Sequence, residues 1–84
     1  MSVLATYAIV VNGVMKVQPR DYEIRELIIM NNSPGVIYLG ANESVSESDG
    51  FPVFPNDVLS FRCNYDFYFY LYGSGQEVRI LEVY

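Results

Sequence analysis

The sequence predicts an all-β fold, a small antiparallel β-sandwich or flattened barrel of six to seven strands. Short apolar segments recur along the chain, and between Leu27 and Phe61 they are separated by clusters of Asn, Ser, Gly, Pro and Asp. Gly, Asn and Asp accept the backbone angles of tight turns, and β-branched and aromatic residues are enriched in strands. Apolar segments of this length between turn formers are typical of strands joined by short connections.

The size and composition indicate a single domain, residues 1–84, that is covered in part by another subunit. A chain of 84 residues buries only about 60 % of its unfolded surface, so its stability is marginal. The composition is 51 % hydrophobic and 15 % aromatic, which is rich for a small monomer. We therefore expect part of the apolar surface to be hidden by oligomerisation or docking.

The N-terminal region reads as a hairpin arm. Two apolar runs, residues 5–11 and 14–17, flank Asn12-Gly13. Asn-Gly between such runs is a strong hairpin signal, because both central residues of a type I′ turn need positive φ. We predict strands at about 3–11 and 14–18, with residues 1–20 as an arm and 21–84 as the sandwich core.

Residues 21–31 allow two interpretations. Ile24, Leu27 and Ile28 have helical spacing, and Asp21 is a suitable helix N-cap. However, the continuous run 27–30 stops at Asn-Asn-Ser-Pro-Gly, as a buried strand does. The strand is favoured, with a helical turn at 21–25, and residues 31–35 then make 36–40 the second arm of a hairpin.

The segment 41–50 is polar and acidic and carries no apolar anchor, which predicts an exposed loop. Its carboxylates offer oxygen ligands for calcium, but they lack the spacing of a calcium loop, so solvation is the simpler interpretation. The prolines at 52 and 55 predict a stiff connection at a sheet edge, followed by a strand at 58–63. The predicted core is Ile28, Met30, Val36, Tyr38, Leu59, Phe61, Phe67, Phe69 and Ile80.

The segment 65–72 alternates in a way that bears on function. In a strand, Tyr68, Tyr70 and Tyr72 share one face with Asp66, while the other face is apolar. These tyrosines are either a platform for another protein or for sugar, or the cover of a second hydrophobic layer. Gly73-Ser74-Gly75 then predicts a turn, and residues 76–84 a last strand with a bulge near Ile80–Leu81.

The sequence carries no enzyme signature. Histidine is absent and Cys63 is the single cysteine, so we read Cys63 as a small core residue and expect no His/Cys metal site and no cofactor. The net charge is −5 and the five basic residues are scattered, which disfavours nucleic-acid binding. We find neither a secretory leader pattern nor an apolar run long enough to span a membrane, and expect cytoplasmic synthesis without membrane association.

The chain resembles small β-rich structural proteins of tailed bacteriophages over residues 25–84. These include capsid decoration (cement) proteins and modules of head fibres and tail appendages. The resemblance implies a virion component without chemistry of its own. It is carried by Arg25-x-Leu27-x-Ile29-x-Asn31, Val36-Ile37-Tyr38-Leu39-Gly40, Val45-Ser46-x-Ser48-x-Gly50-Phe51-Pro52-Val53, Leu59-Ser60-Phe61 and Val78-Arg79-Ile80-Leu81-Glu82-Val83.

From this resemblance we expect a capsid decoration protein on the outer shell, where it binds the major capsid protein and forms a homotrimer. The negative charge fits a place outside the shell, away from the packaged DNA. The alternative is a receptor- or carbohydrate-binding module of a tail or head fibre that uses the tyrosine face. The residues expected at the interface are Tyr68, Tyr70, Tyr72, Val10, Val14 and Met15.

Overall fold

A computed structural model describes residues 4–84 and confirms the all-β class. The described residues form six strands and no helix, and every pair of neighbouring strands is antiparallel. Where a helical turn was predicted at 21–25, the chain makes a single turn that is not helical, in which the Ile24 N–H donates to the Asp21 carbonyl at 3.3 Å, and Arg25 already bonds to Val83 and Cys63. The start predicted for the first strand, residue 3, lies outside the described residues. The strands are β1 (Leu4–Val17), β2 (Glu26–Asn31), β3 (Ile37–Gly40), β4 (Phe51–Val53), β5 (Val58–Arg62) and β6 (Phe69–Val83).

The strands form one sheet that is built around β6. On one side β6 pairs with β1 along nearly its whole length, and on the other side it pairs first with β3 and then with β2. Outside these lie β4 and β5, which pair with β3 and β2 respectively. The sheet therefore has four strand positions. β1 and β6 each fill one of them without a break, β2 and β3 share the third, and β5 and β4 share the fourth.

Two predicted turns are wrong for a shared reason. Asn12-Gly13 lies within β1, and Gly73-Ser74-Gly75 lies within β6, where Asn12 pairs with Ser74 and Gly13 with Gly73. Gly13 and Gly75 have φ of 77° and 98°, in the left-handed region, whereas Asn12, which the predicted type I′ turn also requires at positive φ, does not adopt it. Because the two glycine segments lie side by side, they bend a pair of strands instead of ending either one. The bulge is at Gly75, not near Ile80–Leu81.

This bend, which we call the corner, folds the sheet over its own inner face. Phe61 pairs with Leu27, which pairs with Glu82 near the end of β6, yet the Phe61 ring lies 5.2 Å from the ring of Phe69 at the start of β6. The backbone N–H of Arg20, only three residues after Val17, donates to Glu82. The two halves of the sheet thus pack face to face, and residues of both halves form the core.

The predicted core is correct at Phe69 and Ile80, which are buried, and at Leu59, Phe61 and Phe67, which pack against the buried residues. It is wrong for β2 and β3, because Leu27, Ile29 and Ile37 are buried while their neighbours face outward. The run Leu-Ile-Ile-Met is apolar at every position, so its composition does not reveal which of the two alternating sets of side chains faces the core. The residues wrongly assigned to the core are Ile28, Met30, Val36 and Tyr38.

The predicted hairpin between β2 and β3 is also wrong, because both strands run in the same direction along β6. The buried side chain of Asn31 holds the connection between them together. Its Nδ2 donates to the carbonyls of Gly35 and Val53, both at 2.8 Å, and its Oδ1 accepts from the Ser33 hydroxyl. Residues 31–35 therefore connect β2 to β3 without reversing the chain, and both strands pair with β6.

Candidate functional site

The outer face of one half of the sheet is aromatic. We call it the tyrosine surface; it comprises Val14, Lys16, Tyr38, Tyr68, Tyr70 and Tyr72. Register places these residues together, since Tyr72 pairs with both Tyr38 and Val14, and Tyr70 pairs with Lys16. The rings of Tyr68 and Tyr70 meet edge to face at 6.1 Å, and the Lys16 ammonium lies 4.5 Å from the centre of the Tyr68 ring. The surface is therefore an ordered aromatic patch with one cation.

The structure separates the residues that the sequence places at an interface. Tyr70, Tyr72 and Val14 lie together, and Tyr68 joins them from the turn that precedes β6, since β6 begins at Phe69 and not at Tyr65. Val10 is 60 % exposed but lies beyond the corner, opposite Glu77. Met15 faces inward and packs against the core. A strand bent between residues 11 and 14 cannot present all of these residues on one flat surface.

The opposite half of the sheet carries an apolar groove on its outer face. The groove has a volume of about 620 Å³ and is open to solvent. Arg79 and Glu77 border it and form an ion pair at 3.3 Å. Sequence reasoning missed this surface because it assigned Ile28 and Met30 to the core. Its outward-facing lining residues are Thr6, Ala8, Ile28, Met30, Val58 and Leu81.

A fully buried carboxylate, Glu82, lies where the ends of the folded sheet meet. It accepts hydrogen bonds from the hydroxyl of Tyr7 and from the backbone N–H groups of Arg20 and Asp21, at 2.9 and 3.2 Å for the two amides. Burial, the hydrogen bond to Glu82 and the negative charge of Glu82 raise the pKa of Tyr7 well above its usual value. The guanidinium of Arg20 covers the Tyr7 ring at 3.7 Å. The arrangement ties the segment after β1 to β6.

Cys63 is free and packs partly buried against the core, as predicted. Burial raises the pKa of its thiol, with the negative charge of Glu82 as the next cause. A raised pKa keeps the thiol protonated and weakly nucleophilic near neutral pH. Its environment is that of a packing residue.

The loop 41–50 is mostly exposed, but the prediction that it lacks an apolar anchor is wrong. Val45 is buried and fills the space beside Gly40 and Gly50. The polar side chains of the loop bond within it: Asp49 accepts from the Ser46 backbone N–H at 2.9 Å and from its hydroxyl at 3.1 Å. The loop is thus organised by its own contacts.

Val45 and Glu47 should therefore differ strongly as mutation sites. Glu47→Ala should change the free energy of unfolding by less than about 0.5 kcal/mol, because the side chain is exposed. Val45→Ala should cost about 1 to 2 kcal/mol, since it removes two buried methyl groups. Urea unfolding measures both. A calcium-induced rise in melting temperature that Glu47→Ala abolishes would instead identify a metal site.

No protein-family model matches the chain, and no curated protein is significantly similar to it. Within residues 4–84, no group of three or more His, Cys, Asp or Glu side chains is placed to hold a metal ion. The same residues include no helix that is long and apolar enough to cross a membrane. Among the described residues, the tyrosine surface and the apolar groove are the two outer surfaces with an apolar or aromatic character suited to binding.

Proposed function

We propose that this chain is a non-catalytic capsid decoration protein that binds the major capsid protein on the outer shell of a tailed bacteriophage and stabilises the shell. The observation that carries the proposal is the pair of surfaces on opposite sides of the core, the tyrosine surface and the apolar groove. A subunit with two adhesive sides bridges neighbours, and bridging is how a decoration protein stiffens a shell. The resemblance over residues 25–84 supports the same assignment.

The tyrosine surface is the better candidate for the contact with the shell. Tyr is enriched in interface cores because it offers a large apolar area with a polar tip. Tyr68 is 49 % exposed, and Tyr70 and Tyr72 are half-buried and held by their neighbours, so little side-chain freedom is lost on binding. The net charge of −5 disfavours the packaged DNA and favours the outside of the shell.

A receptor- or carbohydrate-binding module of a tail or head fibre is the second candidate. Four tyrosine side chains on one surface, with the Lys16 ammonium beside Tyr68, combine aromatic faces with several hydroxyl groups and one cation. Such a surface suits a polar ligand that has apolar patches. The two candidates use the same surface and differ in what binds there.

Tyr68→Ser combined with Tyr70→Ser should abolish binding to purified capsids while the β fold persists. Co-sedimentation with capsids measures binding, and circular dichroism monitors the fold. The matched control is Tyr22→Ser combined with Tyr65→Ser, which removes another exposed pair whose rings lie 5.5 Å apart. The control variant should still bind capsids.

Two results would transfer the assignment to the fibre module. One is a Tyr68→Ser, Tyr70→Ser variant that still binds capsids but no longer binds a glycan that the unmodified chain binds on an array. The other is copy number: a decoration protein is present in hundreds of copies per particle, whereas a fibre module is present in tens or fewer. A quantified gel of purified virions distinguishes these cases.

A further inference from the structure

The outer edge of β1 is open. Among residues 4–84, β1 pairs with β6 alone. It is 14 residues long, and in an antiparallel strand alternate residues direct their N–H and C=O groups to each side. About seven residues of β1 therefore present backbone donors and acceptors away from β6. An open edge of this kind pairs readily with another strand.

The edge lacks the features that normally prevent such pairing. Proteins protect edge strands with prolines, repeated charges, bulges or short strand length. β1 has no proline, and its single charged residue is Lys16. The extra residue of the bulge, Gly75, belongs to β6, so β1 is bent but not interrupted.

The opposite edge of the sheet shows what protection looks like in this molecule. It is made of two short strands, β4 and β5, of three and five residues. Pro52 lies within β4, and the turn at 54–57 breaks the edge between the two strands. A strand that runs along this edge would meet a proline and a gap, so pairing of β1 with the opposite edge of another copy is disfavoured.

We propose that β1 pairs antiparallel with β1 of a second copy, which joins two sheets into one. This inference goes beyond the proposed function by naming how copies associate, and it replaces the homotrimer expected from the resemblance with a dimer. The corner lies near the middle of β1, between its residues 4–11 and 14–17. A two-fold axis near Val11 and Asn12 places the corners of both copies side by side, so the two bent edges follow the same path.

The size of the edge agrees with pairing along most of its length. With the axis at Val11, residues 5–17 of the two copies pair, and they cover all but Leu4 of β1. This segment spans about 43 Å at roughly 3.3 Å per residue, and the spacing of about 10 Å between packed sheets gives the width of the edge. The contact then buries on the order of 900 Å² in total, just below the ~1,000 Å² of a specific interface. A shorter overlap would bury clearly less area, which favours an axis near the centre of β1.

The side chains of β1 tolerate this arrangement. With the axis near Val11 and Asn12, the exposed side chains of Val10 and Val14 from the two copies lie close together. Lys16 of each copy meets the neutral segment 6–8 of the other copy, so no like charges oppose each other. The exposed valines lose water contact on pairing.

The purified chain should sediment at micromolar concentration as a dimer of about 19 kDa, twice its 9.6 kDa. Val10→Lys combined with Val14→Lys should raise the dissociation constant at least about tenfold, because it places four like charges around the axis. The matched control is Phe54→Lys combined with Val58→Lys, which adds the same charges at exposed positions of the opposite edge. The control should dimerise like the unmodified chain.

Amide hydrogen exchange tests the same contact without mutation. In the dimer, amides on both edges of β1 should be protected, and protection of the outer set should fall on dilution. A monomer at micromolar concentration, a trimer, or equal effects of the two double variants would overturn the proposal. Capsid co-sedimentation is measured separately. If the chain binds capsids but does not dimerise through β1, only the β1 proposal is overturned. If it dimerises through β1 but does not bind capsids, only the capsid assignment is overturned.

Discussion

Glu82→Gln is expected to lower the free energy of unfolding by about 3 kcal/mol. The Glu82 carboxylate is fully buried and accepts from the Tyr7 hydroxyl and from the backbone N–H groups of Arg20 and Asp21. A carboxylate offers acceptors at both oxygens, whereas an amide replaces one oxygen with a donor that would face another donor. The substitution keeps the volume, so the loss reports on the hydrogen bonds. Urea unfolding at neutral pH measures it.

Two conservative variants show whether the buried oxygens cause the effect. Tyr7→Phe removes one donor and should cost about 1 to 2 kcal/mol. Tyr84→Phe should cost less than Tyr7→Phe, because the Tyr84 hydroxyl lies 3.4 Å from Glu82 in a weak hydrogen bond at the end of the chain. If Glu82→Gln were no more harmful than Tyr84→Phe, the carboxylate would not be holding the folded sheet together.

Asn31→Ala is expected to cost about 3 kcal/mol, because it removes the Nδ2 donor from the Val53 carbonyl and one of the two side-chain donors from the Gly35 carbonyl, and opens a small cavity. The buried Asn31 amide lies at the end of β2 and bonds to the segment before β3 and to β4, so it links the two strands that follow one another along β6. Hydrogen exchange should show that β3 and β4 lose protection before β2 and β5 do. Urea unfolding measures the total loss.

The control variants separate volume from hydrogen bonding. Asn31→Asp has nearly the same shape but places an oxygen where the two carbonyls need a donor, so it should be at least as harmful as Asn31→Ala. Asn32→Ala should cost about 1 kcal/mol, since its half-buried side chain makes one hydrogen bond, to Glu77. An Asn31→Asp variant as stable as the unmodified chain would contradict this role for the amide.

Some of the fold could be predicted because the signals are local. The run 27–30 and the segment 58–63 are too short and too rich in β-branched and aromatic residues for helices, and both form strands. The positive φ expected for Gly13 is present, at 77°. Tyr70 and Tyr72 share an outer face because strand alternation is a local property.

The rest of the fold was not predictable, because it depends on contacts between residues far apart in the chain. Asn12-Gly13 and Gly73-Ser74-Gly75 each signal a turn, but their pairing with each other makes them a corner of the sheet. The apolar groove exists because the folded sheet buries Leu27 and Ile29 on its inner face, which leaves the alternate residues Ile28 and Met30 on the outer face. Strand-forming segments and the positions of bends were predictable from the residues, because they depend on local backbone preference. Pairing partners and the inward-facing set of side chains were not, because these depend on which distant surface each strand covers.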